Sequence, residues 1–331
     1  MANVQKKNRV QSGKVLVVYH YYEKDQSYID NFSHFLRFGY CVELNYLIII
    51  AGEYTIDFPL ADNIKYFFTE NKNFDYGGYC AAICELKAWQ EYDFYLFINS
   101  SVRGPFIPAY DNQNWTDLFI DLFSNEVGIV GSAISITPSH HSIAKMYYGK
   151  YGIRERNDQF LGHVQTTCYA LTRPVLEQLV KLGFYEGAEN LNKDETICHY
   201  EIRLSQLIVD MGLNLRCILP EYNQVDYRKE LLDINPSSRE GDSGFERSYF
   251  GRSVHPYESI FIKTSRATLS EEDLMRLAHS MSINLKLNDA LERQHFMRSF
   301  VQKIQASSLG PREDSRLQKK SLLKSMLNRF K

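Results

Sequence analysis

The sequence predicts an α/β fold: a mostly parallel sheet flanked by helices, followed by a helical C-terminal extension. Three observations predict it. Short β-branched apolar runs alternate with amphipathic stretches through the first hundred residues. The runs are continuously apolar rather than alternating, as strands buried on both faces are. From about Thr268 the periodicity becomes helical to the end of the chain. Strands buried on both faces need crossover connections, which in such proteins are helices.

The elements follow in order. Lys14–His20 (KVLVVYH), after Ser12-Gly13, is a buried strand. Tyr28 to Phe38 places Ile29, Phe32, Phe35 and Leu36 at helical spacing. Tyr46–Ile50 is a second strand, closed by Ala51-Gly52, and Ile64–Phe68 a third. Gly77-Gly78 opens a helix from about Tyr79 to Gln90, packed through Ala81, Ala82, Ile83, Leu86 and Trp89. Phe94–Ile98, Gly128–Val130 and Val164–Leu171 are the fourth, fifth and sixth strands, the last followed by a helix near Thr172 with Pro174 in its first turn. Leu204, Leu207 and Ile208 mark a helix ending at Gly212. Leu274, Leu277, Ala278 and Met281 suggest another, as do Phe296, Phe300 and Ile304. Residues 13–266 read as the α/β domain and 267–331 as the extension.

Composition narrows the function. The 331 residues carry 38 basic and 40 acidic side chains, a net charge of −2, so no basic field gathers nucleic acid and none is expected as a partner. The longest apolar run, Tyr46–Ala51, is too short to cross a bilayer, and the start MANVQKK lacks the apolar stretch of a secretory signal. A cytoplasmic protein is expected. The last stretch, residues 315–331, is basic, with Leu322, Leu323, Met326, Leu327 and Phe330 on one helical face. Such an end can lie on an anionic membrane surface, here the inner face, or stay solvated or docked on a partner. Six cysteines at 41, 80, 84, 168, 198 and 217 include no CxxC pair, so they read as buried small hydrophobes in a reducing compartment. Tyrosine (23) and phenylalanine (20) are abundant, which suits a core and also surfaces that stack on sugars or bases.

In open α/β sheets ligands bind beyond the carboxyl ends of the strands, and that rule selects the loops that matter. The first cluster is Asn71 to Tyr79 (NKNFDYGGY), where glycines allow close backbone approach and a helix start presents free N–H groups. It is neither GxGxxG nor a P-loop. The second is Phe97 to Pro105 (FINSSVRGP): Asn99, Ser100 and Ser101 end a strand, and Arg103 is a fork-shaped phosphate partner or a surface arginine in a turn. The third surrounds His199, Glu201 and Arg203 at the first turn of the helix ending at Gly212, where a carboxylate could act as general base or only complement the helix dipole. The fourth, Gly251 to Arg266 (GRSVHPYESIFIKTSR), offers His255, Lys263 and Arg266. His163, Gln165 and Thr166 form a further polar wall.

Together and in this order, the segments NxFDYGG, FINSSVRGP, HVQT and HPYExIFIK resemble the bacterial polysaccharide glycosyltransferases related to the rhamnan-synthesis F proteins, over about Lys14 to Arg266. The resemblance implies a GT-A (Rossmann-like) mixed, mostly parallel sheet and transfer of a hexose from a nucleoside-diphosphate sugar. The acceptor it implies is a saccharide or lipid-linked glycan in O-antigen or capsule synthesis. It places the site at Asp75 to Gly78, Asn99 to Ser101, Glu201 and His255; with the clusters read from the residues themselves, the donor is expected near His20, Tyr21, Asp75, Tyr76, Gly77, Gly78, Asn99, Ser100, Ser101, Arg103, Lys263 and Arg266, and the acceptor wall at His163, Gln165, Thr166 and His199. Glu201 takes the role of base, with inversion, and His255 that of a metal ligand. One departure stands out: Asn99-Ser100-Ser101 occupies the position where Asp-x-Asp is usual, and Mn2+ or Mg2+ wants anionic oxygens. Three alternatives follow: Arg103, Lys263 and Arg266 handle the diphosphate, His255 and donor phosphates hold the metal, or activity is lost. The rival from another class is a non-catalytic nucleotide-sugar or glycan-binding protein of the same fold. A dehydrogenase or methyltransferase would need a glycine-rich loop after the first strand, where His20-Tyr21-Tyr22-Glu23 stands instead.

Overall fold

Strand β1 (Val15–Tyr22) pairs in parallel with both β2 (Asn45–Ala51) and β4 (Phe94–Asn99), and β3 (Ile64–Thr69) extends the sheet beyond β2. This is seen in a computed structural model that describes residues 13–111, 113–152 and 159–282. On the other side of β4 lies β9 (Cys168–Thr172), antiparallel to β4 and to β6 (Val127–Gly131), and β10 (Asn214–Cys217) pairs in parallel with β6. The seven strands stand in the order β10-β6-β9-β4-β1-β2-β3. The architecture is therefore the expected one: mixed, mostly parallel and flanked by helices. The reversed β9 is what makes it mixed.

The chain divides into two compact units, Met1–Glu53 with Ala61–Leu285, and Tyr54–Leu60 with Lys286–Lys331. In the second, the described residues are 54–60, where the rings of Tyr54 and Phe58 meet edge to face 5.3 Å apart. All elements named here belong to the first unit, as do α3 (Trp115–Ile120), α4 (Ser142–Tyr151) and α5 (Arg173–Lys181).

Strand periodicity decides what each face does. On β1, Tyr19 and Tyr21 point to α1 (Gln26–Phe38) and pack on Phe32 and Phe35, with ring centroids 4.7–5.0 Å apart. His20 points the other way, onto Tyr79 of α2 (Phe74–Glu85). Helix α1 is capped by Asp25, whose carboxylate accepts from the Ser27 N–H at 3.0 Å, and it buries one side through Phe32, Phe35 and Leu36. In the centre Phe97 of β4 stacks on Tyr169 of β9 at 4.8 Å.

Several elements differ from the sequence reading. Helix α2 starts at Phe74, not Tyr79, because Asn73 (φ 52°) and Phe74 (φ 56°) turn the chain in left-handed conformation ahead of it. Gly77-Gly78 thus lies inside its first turns, and α2 ends at Glu85, a 3-10 turn at Lys87–Glu91 following. The single sixth strand is two: β8 (Phe160–Val164) pairs with β7 (Ile134–Pro138) in a small antiparallel sheet, and the chain turns at Gln165–Thr167 before β9. The helix around Glu201 begins earlier, at α6 (Lys193–Thr196), under a capping box of Asn192 and Glu195. It passes through a π-helical turn at Ile197–Ile202 and continues as α7 (Arg203–Asp210) to Gly212 (φ 81°). The expected helix near Leu274 is α9 (Glu271–Ser282), which packs Leu274 and Met281 on Phe106. The stretch around Phe296–Ile304 and the basic end 315–331 lie outside the described residues. Among the described residues no helix is long and apolar enough to cross a membrane.

Candidate active site

The carboxyl ends of β1 and β4 lie side by side, His20 in register with Asn99. There the sequence clusters begin to meet. Asn73 fixes the entry to α2 with its side chain: Nδ2 donates to the Ala188 carbonyl (2.9 Å) and Oδ1 accepts from the Leu191 N–H (2.7 Å). A left-handed conformation costs a non-glycine residue roughly 1–2 kcal/mol, and this clamp holds two such residues in succession. A Cβ on Gly77 would lie 1.7 Å from the Lys72 carbonyl oxygen, and one on Gly78 2.5 Å from His20 Cδ2 and 2.9 Å from Ile49 Cγ2. Both glycines are thus required by backbone and sheet packing. The turn delivers Asp75, whose Oδ2 accepts from Asn99 Nδ2 at 2.9 Å. Asn99 Oδ1 is itself occupied by the Ser101 N–H (3.1 Å) and hydroxyl (2.5 Å).

Glu201 enters from the π-helical turn. Its Oε2 accepts from the Thr166 hydroxyl (2.8 Å) and N–H (3.3 Å), and Oε1 lies 3.3 Å from His163 Nε2. Lys263 arrives on β11 (Ile262–Lys263), antiparallel to β5 (Val102–Arg103), which places it opposite Val102, just past the Asn99–Ser101 turn. The Thr264 hydroxyl donates to the Ser101 carbonyl (3.3 Å) and continues that link.

The charges act on one another. Burial pushes the Asp75 carboxyl up to about 6; the hydrogen bond from Asn99 opposes this, Glu201 adds to it and Lys263 subtracts. Burial alone would raise Glu201 too, yet His163, the Thr166 hydroxyl and Lys263 together leave it below the usual carboxylate range. Burial pulls Lys263 below an ordinary lysine, with Arg266 and Lys193 acting the same way and Glu201 and Asp242 against. Asp75, Asn99, Glu201, Thr166, His163 and Lys263 therefore form one polar cluster drawn from all four sequence segments and the HVQT wall.

The other residues singled out by sequence stand around or away from it. Tyr76 is buried and stacked on Tyr200 (4.6 Å), beside Glu201. Ser100 is buried and extends the β1–β4 ladder: its N–H donates to His20 and its hydroxyl bonds Tyr22. His20 is buried, its imidazole pushed down to about 3, and Tyr21 is a core ring whose hydroxyl reaches Glu23 (2.8 Å). Arg103 is only 4% exposed, its guanidinium turned to Asn31 Oδ1 (Nε, 2.8 Å) and to Glu271 of α9. Gln165 donates to Ser135 (3.0 Å) and to Asp242 (2.7 Å), and Arg266 pairs with Asp242 while lying over the Phe245 ring at 3.6 Å. His199 bonds the Tyr151 hydroxyl through Nδ1, and burial with Lys150 and Arg203 brings its ring down to about 4. His255 caps α8 (Pro256–Ser259): its Nδ1 accepts from the Tyr257 N–H (3.2 Å) and its N–H donates to Glu258 (2.8 Å). Among the described residues His255 makes no contact with Asp75, Asn99, Glu201 or Lys263.

Sequence reasoning missed Asn31, a buried hub. Its Nδ2 donates to the Ser100 carbonyl (3.0 Å) and Thr264 Oγ1 (3.1 Å) while its Oδ1 holds Arg103, tying α1, the β4–β5 turn and β11 together. The only available signal was an asparagine on the apolar face of α1. Tyr28, half-buried and edge-on to Tyr22 (6.3 Å), feels the Asp75 charge. A cavity of about 710 Å3 opens on the face of α2 opposite Asp75, between Gly77, Cys80, Ala81 and Cys84 and the 185–190 loop; none of Asp75, Asn99, Glu201 and Lys263 lines it.

A divalent cation fits this donor set poorly. The strand-end oxygens are neutral and already hydrogen-bonded, and among the described residues no three His, Cys, Asp or Glu side chains gather as a metal-holding group.

Fold and site together are those of a mixed, mostly parallel α/β protein with a carboxylate–lysine cluster at its strand ends. Among solved structures the chain is similar to the mannosyltransferase PcManGT from Pyrobaculum calidifontis in complex with GDP-Man and Mn2+, at 10% identity over 96% of this chain and 82% of that one (TM-score 0.38). It is also similar to the apo structure of the bifunctional glycosyltransferase WbbM, at 14% identity over 59% and 38% of the two chains (TM-score 0.31). No family model and no curated protein matches the chain.

Proposed function

We propose that the protein is a glycosyltransferase that moves a sugar from a nucleoside-diphosphate sugar to a saccharide acceptor, with inversion and with Glu201 as general base. The observation that carries this reading is the convergence of Asp75, Asn99, Glu201 and Lys263, from segments far apart in sequence, at the carboxyl ends of the central strands. The resemblance of those segments to bacterial polysaccharide glycosyltransferases supports a cell-surface polysaccharide as the destination. A carboxylate held by two donors and kept ionised can take the proton from an acceptor hydroxyl. The oxygen then bonds the anomeric carbon as the bond from that carbon to the diphosphate breaks, and the electron pair leaves with the diphosphate. Because attack and departure occur on opposite faces, the anomeric centre inverts.

The test is Glu201→Gln, an isostere that keeps the Thr166 hydrogen bond. Turnover of a nucleotide sugar should fall about 10²- to 10⁴-fold with nucleotide affinity retained. Unchanged turnover removes the base assignment. A wild-type protein that binds nucleotide sugar yet neither transfers nor hydrolyses it is a binding protein of this fold, a reading favoured by the neutral Asn99–Ser101 turn.

A further inference from the structure

Four observations around Asn99 point the same way. First, the oxygens at the end of β4 are committed: Asn99 Oδ1 to Ser101, and the Ser100 hydroxyl to Tyr22. Second, His255, the remaining metal candidate, uses its ring Nδ1 on the α8 cap, and among the described residues no hydrogen bond or ion pair joins it to Asp75, Asn99, Glu201 or Lys263. Third, β11 brings a lysine to the place these groups leave without a cation. Lys263 is half-buried and lies within electrostatic reach of Asp75, Glu201 and Asp242, and among the described residues its ammonium forms no hydrogen bond and no ion pair within 4 Å. Fourth, Arg266, three residues on, has a buried Nη1 with no acceptor, although its Nη2 holds Asp242. An ammonium with three unspent donors thus lies in reach of the base carboxylate, and the Arg266 guanidinium, which acts on that ammonium, keeps one N–H unspent beyond its pair with Asp242. Donors left without acceptors in a partly water-excluded site suit an anionic ligand.

Resting on the glycosyltransferase reading, we propose that the donor's diphosphate is bound by Lys263 and Arg266 and that its binding needs no divalent cation. As the bond between the anomeric carbon and the diphosphate oxygen breaks, the departing group gains one negative charge. Lys263 meets that charge directly, where a bound Mn2+ or Mg2+ would do so at an Asp-x-Asp turn. The acceptor proton goes to Glu201, so the step balances within the cluster. The same lysine also bears on the ionisation of both carboxylates, which couples donor occupancy to the state of the base.

The experiment is isothermal titration of the full chain with UDP, GDP, CDP and dTDP, in excess EDTA and again with MnCl2. One of the four should bind in EDTA, with little change on adding manganese. Lys263→Met should weaken that binding about 10- to 100-fold, the usual cost of losing a charged hydrogen bond, and Lys263→Arg should keep most of it. A melting curve for each variant separates lost binding from lost folding, and the arginine variant reads the charge if the methionine variant does not fold. Binding that appears only with manganese, or a folded Lys263→Met that binds as the parent does in EDTA, overturns the proposal and leaves the glycosyltransferase reading standing. If none of the four binds with or without manganese, the glycosyltransferase reading falls and takes this proposal with it.

Discussion

Asp75 should make the protein less stable as pH rises through 6, and Asp75→Asn should abolish that dependence. The carboxyl sits at about 6 in the fold against an ordinary 3.8. Below 3.8 it is protonated both folded and unfolded and no penalty exists. Between 3.8 and 6 the unfolded chain ionises while the fold keeps its proton, so stability is lost progressively, and above 6 the loss is complete. At about 1.4 kcal/mol per pH unit the interval amounts to about 3 kcal/mol. Asparagine is isosteric, and its carbonyl can still accept the Asn99 hydrogen bond, so the variant removes the titration and little else. Urea unfolding of parent and variant from pH 4 to 8 gives the difference directly, because titrations that do not couple to Asp75 cancel in it. The variant should gain on the parent by about 2.5 kcal/mol across that range, the remainder of the interval lying below pH 4. Two further changes fix the cause. Asn99→Ala removes the donor that opposes burial and should move the midpoint upward. Glu201→Gln removes a repelling charge and should move it downward. A difference flat in pH, or one that favours the parent as pH rises, refutes the reasoning.

The Glu201→Gln and Lys263→Met tests are joined by two on the scaffold. Gly78→Ala puts a methyl 2.5 Å from His20 Cδ2 and 2.9 Å from Ile49 Cγ2, both buried, and should cost about 1–3 kcal/mol in urea unfolding; a neutral result would mean that α2 can lift off the sheet. Asn31→Ala leaves Arg103 Nε and the Ser100 carbonyl unpaired in the core and should cost about 1–3 kcal/mol for each group, read by the same unfolding curves. Because Asn31 also holds Thr264, next to Lys263, nucleotide affinity should fall with it, whereas a purely structural role would leave affinity intact.

The central strands were legible because their burial is written in residue type: Val15–Tyr19 and Leu47–Ile50 are apolar at every position, and both are buried. Strand β7 was not, because Ser135 and Thr137 are buried polar residues within it, Ser135 held by Gln165 thirty residues on. The same limit applies to the site. Each segment could be singled out by its glycines, small polar residues or charges, yet which side chains meet depends on pairing across the fold: Asp75 with Asn99 and Glu201 with Thr166, 24 and 35 residues apart. Arg103 shows the cost of reading one segment alone. Beside Gly-Pro it resembles a phosphate-facing arginine, but Asn31 and Glu271, the latter 168 residues away, bind it in the interior. His20 and Tyr21 needed no structure to separate, since neighbours on a strand point to opposite faces.

What gives the cluster its chemical direction is that its two carboxylates meet different surroundings. Both are half-buried, and the water they lose pushes both upward. Asp75 has one side-chain donor, the neutral Asn99 amide, and stays high. Glu201 has the Thr166 hydroxyl and N–H on one oxygen and His163 on the other, with Lys263 in reach, and is pulled low. Two acids pushed apart by their environments can hold different protonation states at one pH, which is the condition for dividing labour between them. In mildly acid solution, below about pH 6, Asp75 keeps a proton while Glu201, held below the usual carboxylate range, has lost its own, so there Glu201 is the one free to accept a proton. The cation that helps depress Glu201 is the same Lys263 that awaits an anion. A diphosphate bound there would spend part of that positive charge and make Glu201 a stronger base when donor is present than when it is absent.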